Sequence, residues 1–199
     1  MTDIMQQITL AARPAGAPKA SDFALIERPL PELAEGEVLV KLHAFSLDPY
    51  MRGRMDDAKS YAAPVPIGGV MEAGGVGEVI ASRSASFVVG DIAFGMFGWA
   101  THGCLPAREL RKLDSPLPAT TALGVLGMPG FTGWYGLTEL GRPKAGETLV
   151  VAAATGPVGS MVGQIAKARG LRTVAIAGGA EKCTLALEKF GFDAAIDHR

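Results

Sequence analysis

The stretch that most constrains this chain runs Val150-Val-Ala-Ala-Ala-Thr-Gly156-Pro-Val-Gly159-Ser-Met-Val-Gly163-Gln-Ile-Ala. An apolar run with the character of a buried strand, residues 148–153, leads into a tight glycine turn, and an amphipathic helix opens near Val158. Strand, glycine turn and helix in that order are what a dinucleotide-binding turn requires, here as Ala154-x-Gly156-x-x-Gly159. Gly156 lets the backbone approach a pyrophosphate with no Cβ in the way. Gly159 lets the helix pack closely on the strand. Pro157 and Val158 open the helix, whose free N–H groups then face the phosphates. The alternative is an ordinary strand-to-helix turn, and the flanking strand and helix favour nucleotide binding over it.

The residues after the turn bear on the cofactor. The helix is expected to run to Arg169 and to stop at Gly170, and a second apolar strand is expected over 173–177. A cofactor with a free ribose 2′-hydroxyl usually meets an Asp or Glu at the end of that strand, about twenty residues past the turn. Here the strand ends in Gly178-Gly179, and the first charged pair is Glu181-Lys182. Without that carboxylate nothing repels a 2′-phosphate, and Lys182 offers it a compact positive charge. NADP(H) is therefore favoured over NAD(H). A solvated lysine near the start of the next helix is the other account of Lys182.

Composition fits a cytoplasmic globular enzyme. The 199 residues, 48% hydrophobic with a net charge of −1, suffice for one large or two small cores. Balanced charge gives no reason to expect nucleic acid or an anionic membrane as partner. No stretch reaches eighteen apolar residues free of charge and turn signals, and Met1-Thr-Asp-Ile-Met lacks a basic n-region, so neither a membrane span nor a signal peptide is expected. Cys104 and Cys183 fit no metal or redox spacing and read as free thiols in a reducing compartment.

Two textures divide the chain. Over residues 6–113, short apolar stretches alternate with turns, giving expected strands at 8–12, 23–28, 37–47, 74–81, 91–97 and near 110–113. Such spacing with little helix suggests a small barrel or sandwich. From about Thr120 the pattern becomes helical at 123–126 and 133–140, then strand, helix, strand, helix at 182–190, and a third strand at 193–197. That alternation is a parallel α/β unit, so an all-β domain over 1–122 precedes an α/β domain over 123–199. A full dinucleotide domain needs about six strands, and only three fit before Arg199. The expectation is an incomplete Rossmann domain belonging to a longer enzyme.

Several strings carry a more specific likeness: Ser46-Leu-Asp-Pro-Tyr-Met-Arg-Gly53, Ile67-Gly-Gly-Val70, Leu126-Gly-Met-Pro-Gly-Phe-Thr132, Glu147 through Gly159, and Ala177-Gly-Gly-Ala-Glu-Lys-Cys183 with Gly191-Phe-Asp193 after it. With them the chain resembles the N-terminal part of a zinc-independent medium-chain dehydrogenase/reductase. More narrowly, it resembles the branch of leukotriene B4 12-hydroxydehydrogenase, prostaglandin reductase and plant double-bond reductase, including bacterial curcumin-reductase-like members. The resemblance implies a GroES-like barrel ahead of a nucleotide domain, and a homodimer at full length. Zinc members of the superfamily carry Gly-His-Glu-x-x-Gly and an early cysteine ligand. The frame here is Gly69-Val-Met-Glu-Ala-Gly74, and the early loop Ser46-Leu-Asp-Pro has no cysteine. Three His, Cys or carboxylate ligands are thus wanting, and no metal is expected.

Hydride chemistry without a metal suits a substrate that is already electrophilic, such as an α,β-unsaturated aldehyde or ketone. The family places Tyr50 beside the nicotinamide, where its hydroxyl is a candidate donor to substrate; a core tyrosine of the barrel is the alternative. Arg52 either orients its loop, touches phosphate or is solvated. The resemblance puts Met128, Gly130 and Thr132 along the nicotinamide side, with Pro129-Gly130 expected to turn and Thr132 to start a helix. It puts the 2′-phosphate lysine at Lys182. Where many members carry Asn-Tyr-Lys, this chain has Asp197-His198-Arg199; His198 keeps a hydrogen-bonding role toward phosphate and Arg199 adds charge. His43 and His102 read as structural or surface residues. Two other functions stay open: a zinc-free quinone reductase, and an incomplete chain that only binds nucleotide or packs in an oligomer.

Overall fold

The structure, a computed structural model, describes residues 4–199. It comprises two compact units, the first ending at Thr120 and the second beginning at Thr121. The expected division at 122/123 lies two residues further along.

The first unit is almost entirely β. Strands β1 (Ile4–Leu10) and β2 (Phe23–Pro29) form an antiparallel ribbon. A five-stranded antiparallel sheet has the order β6-β3-β4-β5-β7. Its members are β3 (Glu37–Phe45), β4 (Gly74–Ser82), β5 (Ile92–Met96), β6 (His102–Pro106) and β7 (Arg111–Lys112). Isolated bridges run from Gln7 and Thr9 of the ribbon to Ala100, just ahead of β6, and to Val70, ahead of β4, respectively. A five-residue helix, α1 (Tyr50–Arg54), lies between β3 and β4.

Apolar spacing dictates most of this. Val38 and Val40 enter one core with Val79, Phe87, Ala93 and Phe97. The alternation expected for a half-buried strand fails at Leu39, which is buried as well, so β3 is covered on both faces until Lys41. A register shift against β4 falls between Leu39 and Val40. Strand β6 is not among the strands expected from the sequence, because Gly103 and Pro106 weaken its signal. It survives as an edge strand paired to β3, with Pro106 at its last position.

In the second unit β8 (Thr148–Ala152), β9 (Arg172–Ala177) and β10 (Ala194–Asp197) form a parallel sheet ordered β10-β9-β8. Helices α3 (Pro157–Ala168) and α4 (Ala180–Glu188) make the crossovers. Central β9 is buried at Thr173, Val174, Ala175 and Ala177. β8, expected to be a buried strand, is instead an edge with Val150 54% exposed. Asp193 ties the layers together. Its carboxylate accepts from the Thr173 backbone N–H (2.7 Å) and hydroxyl (3.0 Å) and from Lys167 Nζ (2.7 Å). The Lys167 bond, then the two from Thr173, hold the carboxyl down at about 2. This contribution is complete above the ordinary carboxylate range and is lost as pH falls toward 2.

The helical expectations in this unit need correction. Residues 123–126 are not an α-helix; a 3₁₀ turn covers Ala119–Leu123 and further turns succeed it. Helix α2 (Met128–Tyr135) begins earlier than expected, with Gly127 as N-cap and Pro129 in its first turn. Proline is preorganised there and forfeits no hydrogen bond, so Pro129-Gly130 starts the helix where a turn was expected. Thr132 therefore lies inside α2, and its hydroxyl donates to the Met128 carbonyl (2.7 Å). The chain continues as a π-helical turn, Gly136–Gly141, closed by Arg142 at a left-handed φ of 46°.

Gly159 lets α3 approach β8. A Cβ there would stand 2.5 Å from the Ala153 carbonyl oxygen and 2.9 Å from Ala154 Cα, and both are backbone. Gly159→Ala is expected to destabilise the second unit by about 1–3 kcal/mol, the scale of overpacking a tight contact. Gly136→Ala, with open space around its Cβ, should be neutral or slightly stabilising. Urea denaturation of both variants checks this, and an unchanged midpoint for Gly159→Ala contradicts the close packing.

Candidate functional site

The carboxyl ends of the three parallel strands open onto a cleft of about 810 Å³ in the second unit. On one side stands the glycine turn. Ala153 leaves β8 at a left-handed φ of 48°, and Gly156 caps α3 in extended backbone. No side chain caps that helix start. Pro157 has no N–H, so the amides of Val158 and Gly159 are the leading donors at the positive end of the helix dipole. Thr155 and Gly156 line the cleft directly.

The opposite side is the β9–α4 connection. Ala177, Gly178, Glu181, Lys182, Leu185, Glu188 and Lys189 face the cleft, as does His198 after β10. Gly179, at φ 92°, donates its N–H to Asp197 Oδ1 (2.8 Å), and the Arg199 N–H donates to the same oxygen (3.0 Å). These two backbone donors hold the Asp197 carboxyl below the usual carboxylate range. Asp197, in sequence only a departure from the family string, is thus the latch that shapes this turn. A Cβ on Gly178 would lie 3.0 Å from both His198 Nε2 and Arg199 Nε. Those two side chains converge where the carboxylate of an NAD-type site would stand.

The cleft brings Gly156, Lys182 and His198 together, with Pro157, Val158 and Gly159 opening the helix beside it. It is not free of carboxylates, since Glu181 and Glu188 also line it. Glu188 and Lys189 are not among the residues that the sequence motifs single out. Their spacing of seven from Glu181 and Lys182, two helical turns, is the signal that places them on the same face.

Met128, Gly130 and Thr132 all lie on α2. Met128 is exposed. Gly130 has a local structural reason to lack a side chain, because a Cβ would collide with the Val125 carbonyl. The Thr132 hydroxyl is taken up by the Met128 carbonyl.

Tyr50 opens α1 in the first unit. Its half-buried ring packs against a core of Leu10, Met51, Met55, Val65, Met71 and Ala73. Burial first, then Glu72 and Asp48, raise its phenol above the ordinary value of 10.0, while Arg54 opposes them. It is therefore protonated at neutral pH, and among the described residues its hydroxyl has no hydrogen-bond partner. Asp48 is itself oriented by Ser46 Oγ (2.6 Å).

Arg52 is not a solvated arginine. It donates to the carbonyl of Gly16 (3.0 Å) and pairs with Asp56 (2.6 Å). Arg13 donates to the carbonyls of Met55 (3.0 Å) and Val65 (2.7 Å), tying down the end of the same helix. His43 is exposed and the His102 ring lies 3.0 Å from the Thr101 hydroxyl. Both cysteines are free, and burial, with Glu37 beside it, pushes the Cys104 thiol up to about 11. Among the described residues no three His, Cys, Asp or Glu side chains gather as a metal centre, and no helix is long and apolar enough to cross a membrane.

The family described as the N-terminal domain of oxidoreductase matches residues 6–113, more than half of the chain. The chain belongs to the zinc-independent medium-chain dehydrogenase/reductase family. It falls in the branch of curcumin, prostaglandin and 2-alkenal reductases. The NADPH-dependent curcumin reductase of Escherichia coli (strain K12) is 52% identical over 190 residues, covering 95% of this chain and 55% of that protein. The NADP(+)-dependent 2-alkenal reductase of Nicotiana tabacum is 39% identical over 201 residues, covering 98% and 58%. CurA from Vibrio vulnificus, solved in complex with NADPH, superposes with a TM-score of 0.93 at 52% identity, covering 98% and 58%. The fold is accordingly a GroES-like part with a partial Rossmann domain after it. The chain spans somewhat more than half the length of these relatives.

Proposed function

We propose that the protein is an NADPH-dependent oxidoreductase that reduces the carbon–carbon double bond of α,β-unsaturated aldehydes and ketones. The observation that carries the cofactor half is the cleft, where an uncapped helix start faces Lys182 and His198 across the strand ends. This donor set fits a dinucleotide bearing a 2′-phosphate: backbone amides for the pyrophosphate, and a lysine with converging His198 and Arg199 for the extra charge. When bound, the nicotinamide supplies a hydride to the β carbon of the substrate.

The chain's own residues supply binding and polarisation. Gly156, Val158 and Gly159 hold the pyrophosphate, Lys182 and His198 the 2′-phosphate end, and Met128, Gly130 and Thr132 the nicotinamide side. Tyr50, protonated and with its hydroxyl unengaged, donates a hydrogen bond to the carbonyl oxygen on which charge develops. The unit up to Thr120 is then the catalytic domain and the second unit the cofactor domain. The relatives' names, curcumin reductase and 2-alkenal reductase, support an enone or enal as acceptor. A cytoplasmic homodimer at full length completes the reading.

A side-by-side assay tests it. With NADPH, a medium-chain enone is expected to be consumed faster than a simple quinone. Preferential quinone reduction would point to the zinc-free quinone reductases instead.

A further inference from the structure

Tyr50 is presented by a helix of only five residues, α1. One such turn does not hold itself in place, because helix nucleation is unfavourable without tertiary contacts. The last residue of that helix, Arg54, stands one turn after Tyr50 and is 15% exposed at its side chain. Its Nη1 donates to the Ala63 carbonyl (2.8 Å), and its Nε lies 3.2 Å from Glu72 Oε2. Its own carbonyl accepts from the Val65 N–H (2.8 Å). The guanidinium carbon lies over the Tyr50 ring at 5.9 Å and over the Tyr61 ring at 5.4 Å. Two aromatic faces, a carboxylate and a carbonyl thus converge on one cation.

We infer that Arg54 is the positioning residue for Tyr50: anchored by Glu72 and the Ala63 carbonyl, its guanidinium fixes the Tyr50 ring and sets the electric field at the phenol. The inference rests on the reading that Tyr50 is the hydrogen-bond donor to substrate. A delocalised, planar cation suits the task, since it stacks on rings while Nη1 donates to the Ala63 carbonyl in the plane of the fork and its charge pairs with Glu72. Nε itself makes no hydrogen bond among the described residues. Its charge matters as much as its shape. The groups acting on the phenol are Glu72 ahead of β4, Asp48 ahead of α1, Tyr61 after α1, and Arg54 itself. Of these only Arg54 favours the phenolate. It therefore keeps a buried phenol beside two carboxylates from becoming a poor donor. Glu72 has a divided role, because it anchors Arg54 while opposing it electrostatically at Tyr50.

The test is the ionisation of Tyr50, monitored by ultraviolet difference absorbance in the 199-residue chain. The chain has three tyrosines, and Tyr50→Phe assigns the signal. Arg54→Met is expected to move the Tyr50 titration to higher pH and Glu72→Gln to lower pH, with circular dichroism confirming both folds. A purely structural Arg54 predicts otherwise: either variant would loosen α1, let water reach the ring and move the titration down toward 10. Downward shifts in both variants, or no shift in either, overturn the inference. If Arg54→Met does not fold, Arg54→Gln carries the same test beside Glu72→Gln, because glutamine also removes the charge and keeps a planar hydrogen-bonding end. In the enone assay, Arg54→Met should lower kcat about tenfold, as for a misplaced catalytic group, with KM for NADPH unchanged and partial rescue by Arg54→Lys. Wild-type turnover in Tyr50→Phe would overturn the reading of Tyr50, while opposite titration shifts would still establish the coupling to Arg54.

Discussion

Tyr50→Phe should lower enone turnover on the order of 10²-fold while leaving NADPH binding intact. The magnitude is that of one well-placed donor to a developing oxyanion. The structure supports the donor role in two ways. Burial and the nearby carboxylates Glu72 and Asp48 raise the phenol above its ordinary value of 10.0 and keep it protonated through neutral pH, so activity should show no loss from Tyr50 ionisation below pH 10. The ring is also braced by the core around Met51 and Met71, so phenylalanine fills the same space and the variant should keep its stability. Steady-state kinetics with an enone, beside a thermal melt, checks both points. Unchanged turnover would assign Tyr50 to the core alone.

Lys182→Ala should weaken NADPH by about 1–3 kcal/mol, the scale of a lost charge-assisted hydrogen bond. Lys182 is exposed on the first turn of α4, so solvent screening favours the lower half of that range, roughly five- to thirtyfold in Kd. NADH binding should barely change. Gly178→Asp is the reciprocal variant, because it directs a carboxylate at His198 and Arg199, each of which lies 3.0 Å from where its Cβ would stand. It should cost NADPH affinity and spare NADH. Calorimetric titration of both cofactors decides the matter: equal losses for NADPH and NADH in Lys182→Ala would make the lysine structural.

The parallel unit is legible in the sequence because its determinants are local. The apolar run of β8, the glycine turn and the start of α3 succeed one another without interruption, and Gly159 meets its obstruction, the Ala153 carbonyl, only six residues away. The α4 face of the cleft is legible in part, through Lys182, while Lys189 two turns on carries no motif of its own. The features that escape a sequence reading are set by distant contacts. Arg13 reaches Val65, Arg52 reaches Gly16 and Arg54 meets Glu72 across intervals that periodicity does not register. Strand β6 exists because β3 offers it an edge, despite a glycine and a proline in its own sequence. The expected burial of β8 fails for the complementary reason: an apolar run reports a preference for cover, whereas the sheet order, which leaves β8 with a neighbour on one side, is set by contacts outside the run. Thr132 misleads because its hydroxyl suits a helix start as well as the Met128 carbonyl it bonds inside α2.

The measurement that bears most directly on the proposed chemistry is the identity of the product formed from an α,β-unsaturated ketone and NADPH. Conjugate reduction delivers a resonance-delocalised enolate, whose oxygen is the one assigned to the Tyr50 hydroxyl, whereas direct attack leaves the charge localised on an alkoxide. Mass spectrometry and proton NMR distinguish the outcomes. A saturated ketone with its carbonyl intact is the expected product, and an allylic alcohol as the main product would contradict conjugate reduction.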